Sequence, residues 1–127
     1  MIQKLHNKPL VMVPERCSLK PPNSKEWIPH LDRNRVGTYQ VVIALTQTKF
    51  IVWEKSHMVA IGRDSDGFHK LSKNELFQLE GRSAKMVLEA NPGDILIMQG
   101  GVCVHSSPGV GPDEPERICT YAQWVFA

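Results

Sequence analysis

Thr38-Tyr-Gln-Val-Val-Ile-Ala-Leu-Thr46 is the stretch whose reading decides the fold. β-Branched and aromatic side chains dominate it, and such side chains fit a pleated, half-buried surface. Its near-continuous apolarity predicts a strand covered on both faces. Gln47-Thr48 leads on to Lys49-Phe-Ile-Val-Trp-Glu54, a second strand that either folds back as a hairpin or crosses to another sheet. On the N-terminal side, Arg33-Asn-Arg-Val-Gly37 reads as a turn in which Gly37 is free to take positive φ. Before it stand Trp27-Ile-Pro-His-Leu-Asp32 and the polar, proline-rich connection Lys20-Pro-Pro-Asn-Ser-Lys25. That connection suits neither a helix interior nor a central strand. Leu10-Val-Met-Val13, bounded by Pro9 and Pro14, reads as an edge or entry strand.

On the C-terminal side, Ser56–Phe68 is polar and carries Gly62, Asp64, Asp66 and Gly67, which predicts a loop. Ser72-Lys-Asn-Glu75 has the spacing of a capping box, so a short helix is expected through Leu79, ended by Gly81. Lys85–Ala90, the turn Asn91-Pro-Gly-Asp94 and Ile95-Leu-Ile-Met98 read as strand, turn and strand. Gly100-Gly101 interrupts the pattern, Val102–Ser107 resumes it, and Pro108–Glu116 is a loop before a last strand, Arg117–Phe126. No internal repeat is present. Seven or eight short strands joined by turns, with one short helix, predict an all-β jelly roll rather than a parallel fold.

At 127 residues the chain is expected to be one domain spanning 1–127. Its net charge of +2 is too small to imply a polyanionic partner, so no nucleic-acid binding is expected. Residues 1–40 carry seven Lys/Arg against three Asp/Glu, a distribution that reads first as a solvated surface. Cys17, Cys103 and Cys119 make an odd count without Cys-x-x-Cys spacing, which fits reduced thiols in a cytosolic protein. No apolar run is long enough to span a bilayer. Met1-Ile-Gln-Lys-Leu-His6 lacks the apolar core of a signal peptide, so the expected location is cytoplasmic.

The chemistry-bearing residues are His30, Asp32, His105 and Arg117. In an extended chain, residues two apart project to one face, so His30 and Asp32 can present an imidazole and a carboxylate to one point. Taken alone, the pair has a bland reading as a turn-forming Asp beside a surface His. Strand alternation puts Cys103, His105 and Ser107 on one face and Val102 and Val104 on the other. A second imidazole from His105 completes a two-histidine, one-carboxylate face that leaves three octahedral positions of iron(II) open. The alternative is a core His bonded to Ser107. Arg117, twelve residues further on, can grip a dicarboxylate with its paired N–H fork, or else pair with Asp113, Glu114 or Glu116. His57 and His69 are rival second histidines, but both stand in the polar loop region.

The order and spacing of these residues resemble the phytanoyl-CoA dioxygenase-like group of iron(II)/2-oxoglutarate oxygenases over about residues 27–124. The likeness lies in His30-x-Asp32, Tyr39–Thr46 after it, Phe50–His57, Gly93-Asp-Ile-Leu-Ile97, His105-Ser-Ser-Pro108 and Arg117. The resemblance implies a double-stranded β-helix, which is a cupin-like jelly roll. It implies that His30, Asp32 and His105 ligate Fe(II), and that Arg117, helped by Ser107, binds the distal carboxylate of 2-oxoglutarate. Gln40 or Thr46 would donate to the co-substrate and Trp53 would wall the site. The implied reaction uses O2, decarboxylates 2-oxoglutarate to succinate and attacks a C–H bond of a small molecule or exposed side chain. Halogenating relatives lack the carboxylate, so Asp32 favours hydroxylation. The region over the barrel mouth is short, about Met58–Gly81, which puts a fatty acyl-CoA substrate in doubt and leaves a homodimer as one way to cover the site. Two rival readings remain: a non-catalytic jelly-roll binding module, and a cupin-like metal enzyme that needs no keto acid.

Overall fold

The computed structural model describes residues 10–33, 39–59, 61–63 and 67–126, with side chains described for 17–122 of these. The expected turn over Arg33–Gly37 falls outside them beyond Arg33, as do Asp64 and Asp66 of the expected loop and the N-terminal hexapeptide. Nine strands and one α-helix follow in order. They are β1 Leu10–Lys20, β2 His30–Leu31, β3 Tyr39–Ala44, β4 Thr48–Trp53, β5 His69–Lys70, α1 Lys73–Glu80, β6 Lys85–Ala90, β7 Ile95–Met98, β8 His105–Ser106 and β9 Arg117–Phe126. No helix among the described residues is long and apolar enough to cross a membrane.

The strands form two antiparallel sheets, a four-stranded one in the order β1-β9-β3-β7 and a five-stranded one in the order β5-β2-β8-β4-β6. Successive strands change sheet: β3 lies in the first and β4 in the second, β6 in the second and β7 in the first. This alternation is the jelly-roll signature that the strand count predicts, and it settles β3–β4 as a sheet crossing rather than a hairpin. β3 sits between β9 and β7, which explains its unbroken apolar run. The β6–β7 crossing uses the expected turn. Gly93 takes φ +91° there, a conformation costly for other residues, and Asp94 N–H donates to Asn91 O at 2.9 Å.

β1 is longer than Leu10–Val13 suggests. Its pairing with β9 runs from Leu10↔Phe126 to Lys20↔Arg117 and shifts register between Pro14 and Arg16. A proline is tolerated at such a bulge on an edge strand, because no ladder bond needs its missing N–H.

Two apolar clusters hold the sheets. One lies between them and contains Val42, Phe50 and Cys119, with Leu88, Leu96, Met98 and Tyr121 against it. The other holds Leu31, Ile51, Trp53, Leu71, Leu79 and Val104, with Leu76 of α1 packed on it. Phe50 and Ile51 belong to opposite clusters, so the five-stranded sheet is apolar on both faces. Helix α1 is fixed over the second cluster by the expected capping box: Glu75 N–H donates to Ser72 Oγ (3.2 Å) and Ser72 N–H to Glu75 Oε1 (2.9 Å). Gly81 ends the helix in ordinary right-handed geometry, φ −71°, so it does not use the left-handed freedom of glycine.

Candidate metal centre and cavity

β2 and β8 bring the predicted residues together. His30 and His105, 75 positions apart in the chain, are register partners on these neighbouring antiparallel strands. Partners in register project to the same face, and the two ring centroids are 4.4 Å apart. Leu31 turns its side chain to the opposite cluster, and Asp32, one residue on, returns to the face of His30. His30 Nε2 lies 3.7 Å from Asp32 Oδ1, and His105 Nε2 lies 3.4 Å from Asp32 Oδ2. One donor atom from each of the three residues falls within 4.8 Å of the others.

The chain sets the tautomers of both rings in the same way. His30 Nδ1 is 2.8 Å from Ile28 O, and His105 Nδ1 is 2.8 Å from Cys103 O. A carbonyl oxygen only accepts, so each Nδ1 carries a hydrogen, and each Nε2 faces Asp32. Burial, then the neighbouring His105, push the His30 pKa below its ordinary value, which keeps that ring neutral and receptive. His105 is thus bonded to the Cys103 carbonyl, and Ser107 does not hold its ring.

Strand β8 is shorter than the sequence suggests. Val102 and Cys103 instead form a turn in which both N–H groups donate to Gln99 O. Val104 still faces the helix-side cluster and His105 the interior, so the expected alternation survives where it matters.

A cavity of about 440 Å³ opens beside the three residues, lined among others by Trp27, Gln40, Phe50, Phe68, Ser107 and Tyr121. That volume is in the range of small-molecule sites. Two of the residues expected to meet a co-substrate, Gln40 and Ser107, therefore stand on it. Among the described residues Gln40 Oε1 is buried without a hydrogen-bond partner, a costly state that a ligand group would relieve.

The structure does not bring the remaining expected residues to this cavity. Trp53 belongs to the helix-side cluster, because β4 alternates and only its other face looks inward. Thr46 Oγ1 accepts from Ile118 N–H at 2.9 Å, which ties the β3–β4 crossing to β9. Arg117 is buried, but its guanidinium donates to Pro108 O (3.0 Å), Gly109 O (2.9 Å) and Glu114 Oε2 (3.2 Å). The strands that carry His105 and Arg117, β8 and β9, belong to different sheets. The Gly111 N–H and then the Arg117 guanidinium hold the Glu114 carboxyl below its ordinary range. His69 pairs with Glu75 at 2.9 Å, and His57 is exposed on a 3-10 turn over Ser56–Met58.

Three further residues shape the site. Gly100 O accepts from Asp32 N–H at 2.8 Å, and a Cβ on Gly100 would stand 2.1 Å from Asp32 Oδ2. Only glycine leaves that carboxylate its place. Arg63 donates to Asp32 O (2.9 Å) and Gly101 O (2.7 Å), pinning both approaches to the carboxylate. Lys20, 5% exposed, donates to Ser107 O and Pro108 O at the cavity wall. The Gly100-Gly101 pair was the one visible signal for the first. Nothing in the local sequence marks the other two.

No family model matches the sequence, and no curated protein matches it. Solved structures do resemble the fold. EctD from S. alaskensis with 2-oxoglutarate and 5-hydroxyectoine shares 14% identity at a TM-score of 0.74, over 98% of this chain and 47% of that one. The epimerase SnoN from nogalamycin biosynthesis, in complex with Fe3+, alpha ketoglutarate and nogalamycin RO, shares 17% at 0.76, over 99% and 54%. AviO1 from Streptomyces viridochromogenes Tue57 shares 18% at 0.69, over 98% and 54%. The chain thus spans about half the length of these structures and shares their fold over that part; the EctD and SnoN structures themselves hold 2-oxoglutarate or alpha ketoglutarate.

Proposed function

We infer that this chain is the catalytic jelly roll of a non-haem iron(II)/2-oxoglutarate-dependent oxygenase, akin to the phytanoyl-CoA dioxygenase-like group. The observation that carries the reading is the meeting of His30, Asp32 and His105 with the Nε2 atoms of both imidazoles turned toward the carboxylate. Two histidines and one carboxylate on one face suit iron(II) and leave positions for a keto acid and oxygen. Iron(II) held by these three residues would, with 2-oxoglutarate and O2, supply C–H oxidation coupled to decarboxylation of 2-oxoglutarate to succinate and CO2.

The chain's own residues have separate tasks. His30, Asp32 and His105 hold the metal. The backbone acceptors at Ile28 and Cys103 orient the rings, and Gly100 and Arg63 position Asp32. Gln40 and Ser107 offer hydrogen bonds to the co-substrate, and Arg117 holds the Pro108–Gly109 segment that follows Ser107. Phe68, whose ring centroid is 4.7 Å from that of His30, and Trp27 form an aromatic mouth. That mouth suits a small organic substrate rather than a polyanion. The reaction assigned is hydroxylation. SnoN and SnoK are described as an epimerase and a carbocyclase, so the carbon's fate after hydrogen loss depends on what the mouth holds against it.

The test is an anaerobic titration with Fe(II) and then 2-oxoglutarate, followed by exposure to O2 with succinate assayed. Stepwise binding and keto-acid-dependent succinate, even without primary substrate, are expected. Iron binding that is indifferent to 2-oxoglutarate, with no succinate formed, would favour a metal enzyme needing no keto acid. No metal binding at all would leave a non-catalytic module.

A further inference from the structure

A second hollow, of about 420 Å³, lies beside the metal cavity and is lined by Glu26, Trp27, Ile28, His30, Phe68 and Lys70. Trp27, His30 and Phe68 line both spaces, so these three side chains form the partition between them. Phe68 tilts against the His30 ring, with centroids 4.7 Å apart. Trp27, Ile28 and Phe68 are nevertheless 40%, 53% and 53% exposed. Large apolar side chains left uncovered singly are ordinary. Three of them around one concavity, next to a metal face, mark a place for an apolar body.

The charge at this hollow follows from the register of β5. Lys70 is the partner of His30, and His69 the partner of Leu31. Partners project to one face. His69 accordingly joins the helix side, where it pairs with Glu75 at 2.9 Å, and Leu71 packs there with Leu31. Lys70 between them leaves the strand on the face of His30. It stands exposed on the edge strand and has no ion pair among the described residues. The acid on the same rim, Glu26, lies 3.5 Å from Lys85 Nζ. The hollow therefore combines apolar walls with one cation that lacks a counter-charge.

We propose that this hollow takes the primary substrate, a small monocarboxylate with an apolar, ring-bearing body. The body packs among Trp27, Ile28 and Phe68, the carboxylate meets Lys70, and one carbon faces past Phe68 toward His30, Asp32 and His105. The assignment deepens the oxygenase reading above and rests on it. It makes Lys70 the residue that selects the substrate's charge and Phe68 the one that decides which carbon meets the metal face.

The competing account is that Lys70 is a solvated charge that only keeps the sheet edge from pairing with other chains. Calorimetry of the Mn(II)-loaded protein separates the two. 2-Oxoglutarate is titrated first. Phenylacetate, phenylacetamide and phenethylamine, which share one ring and differ in charge, follow at saturating 2-oxoglutarate. Wild type is expected to bind the carboxylate best and the amine worst. Lys70→Gln is expected to cost phenylacetate about three- to tenfold in affinity and to leave the amide unchanged. Lys70→Arg is expected to keep the preference, and Lys70→Glu to turn it toward the amine. Phe68→Ala is expected to weaken all three probes alike. A carboxylate preference undiminished in Lys70→Gln, equal affinities for the three probes in wild type, or no binding of any of them would overturn the proposal. The oxygenase reading would then still stand on the 2-oxoglutarate step. Wild type that takes up no 2-oxoglutarate would remove both.

Discussion

The two faces of the five-stranded sheet are built from the same few strands and have opposite characters. On the helix side, Leu31, Ile51, Trp53, Leu79 and Val104 pack into a filled core in which Leu79 and Val104 have no exposed surface. On the inner side the strands enclose a cavity of about 440 Å³ with His30, Asp32 and His105 on its wall. The two faces meet within single dipeptides: Leu31 lies between His30 and Asp32, and Val104 immediately precedes His105. Fully burying a Leu or Val contributes about 1.5–3 kcal/mol. Each packed neighbour therefore anchors the backbone that aims a prospective ligand. The hollow face holds its geometry because the packed face leaves the strands no freedom.

That comparison can be broken from either side. The largest effect is expected on the hollow face. Asp32→Ala or His105→Ala removes a donor and is expected to weaken Fe(II) or Mn(II) binding more than about 100-fold, beyond what loss of a supporting residue does. Urea unfolding of the apoprotein is expected to change by less than about 1 kcal/mol. A large loss of stability without loss of metal affinity would reverse the roles of the two faces.

Leu31→Ala attacks the packed face. The cavity left beside Ile51 and Val104 is expected to cost about 2–5 kcal/mol in urea unfolding, a large share of an ordinary domain's stability. Metal affinity is expected to fall with it, because His30 and Asp32 lose their anchor. Stability lost with metal binding intact would show that the two faces are independent.

Gly100→Ala sharpens the comparison, since it adds one methyl group to the hollow face alone. The new Cβ would collide with Asp32 Oδ2. A fall of about 10- to 100-fold in metal affinity is expected, the size seen when the support of a ligand is lost, and calorimetry reads it directly.

The smallest effect concerns the helix that seals the packed face. Ser72→Ala removes one half of the capping box and is expected to cost about 1 kcal/mol. Burial pushes the Glu75 carboxyl up, but bonds from Ser72 N–H and His69 outweigh it and hold the pKa below its ordinary 4.5. A carboxylate stabilised in the folded state contributes its full share above the unfolded pKa and loses it as pH falls through the folded one. The stability difference between wild type and Glu75→Gln, which removes that charge, is therefore expected to narrow as pH falls below about 4.5. Chemical denaturation at pH 7 and pH 3.5 checks this.

Strands with clear boundaries were legible in the chain. β6, β7 and β9 occupy the expected residues, and the capping box placed α1. The meeting of His30, Asp32 and His105 was expected as well: alternation put His30 with Asp32, and the resemblance to the oxygenase group added His105, which the β2–β8 pairing brings to them. Three features were not. β4 is apolar on both faces, so alternation gave no sign that Trp53 points to the helix while Phe50 points inward. Pro14 hid the extension of β1 to Lys20, since only the pairing with β9 reveals a bulge there. The partners of Arg117 depend on how the Pro108–Glu116 loop folds back, and no local pattern encodes that path. Hydrophobic period records which side of a strand is covered. It does not record what covers it.

The place of β1 has a kinetic consequence. Its neighbour in the sheet is β9, so β1 waits for about a hundred further residues before its partner is made. At about 5–20 residues per second, a growing chain leaves β1 unpaired for on the order of ten seconds. Pairings between such distant segments are slow to form in any case. During that interval Lys20 and Arg117 are still strangers, and the edge that β9 will cover lies open to other chains. A chaperone that shields extended segments is expected to raise the yield of soluble protein.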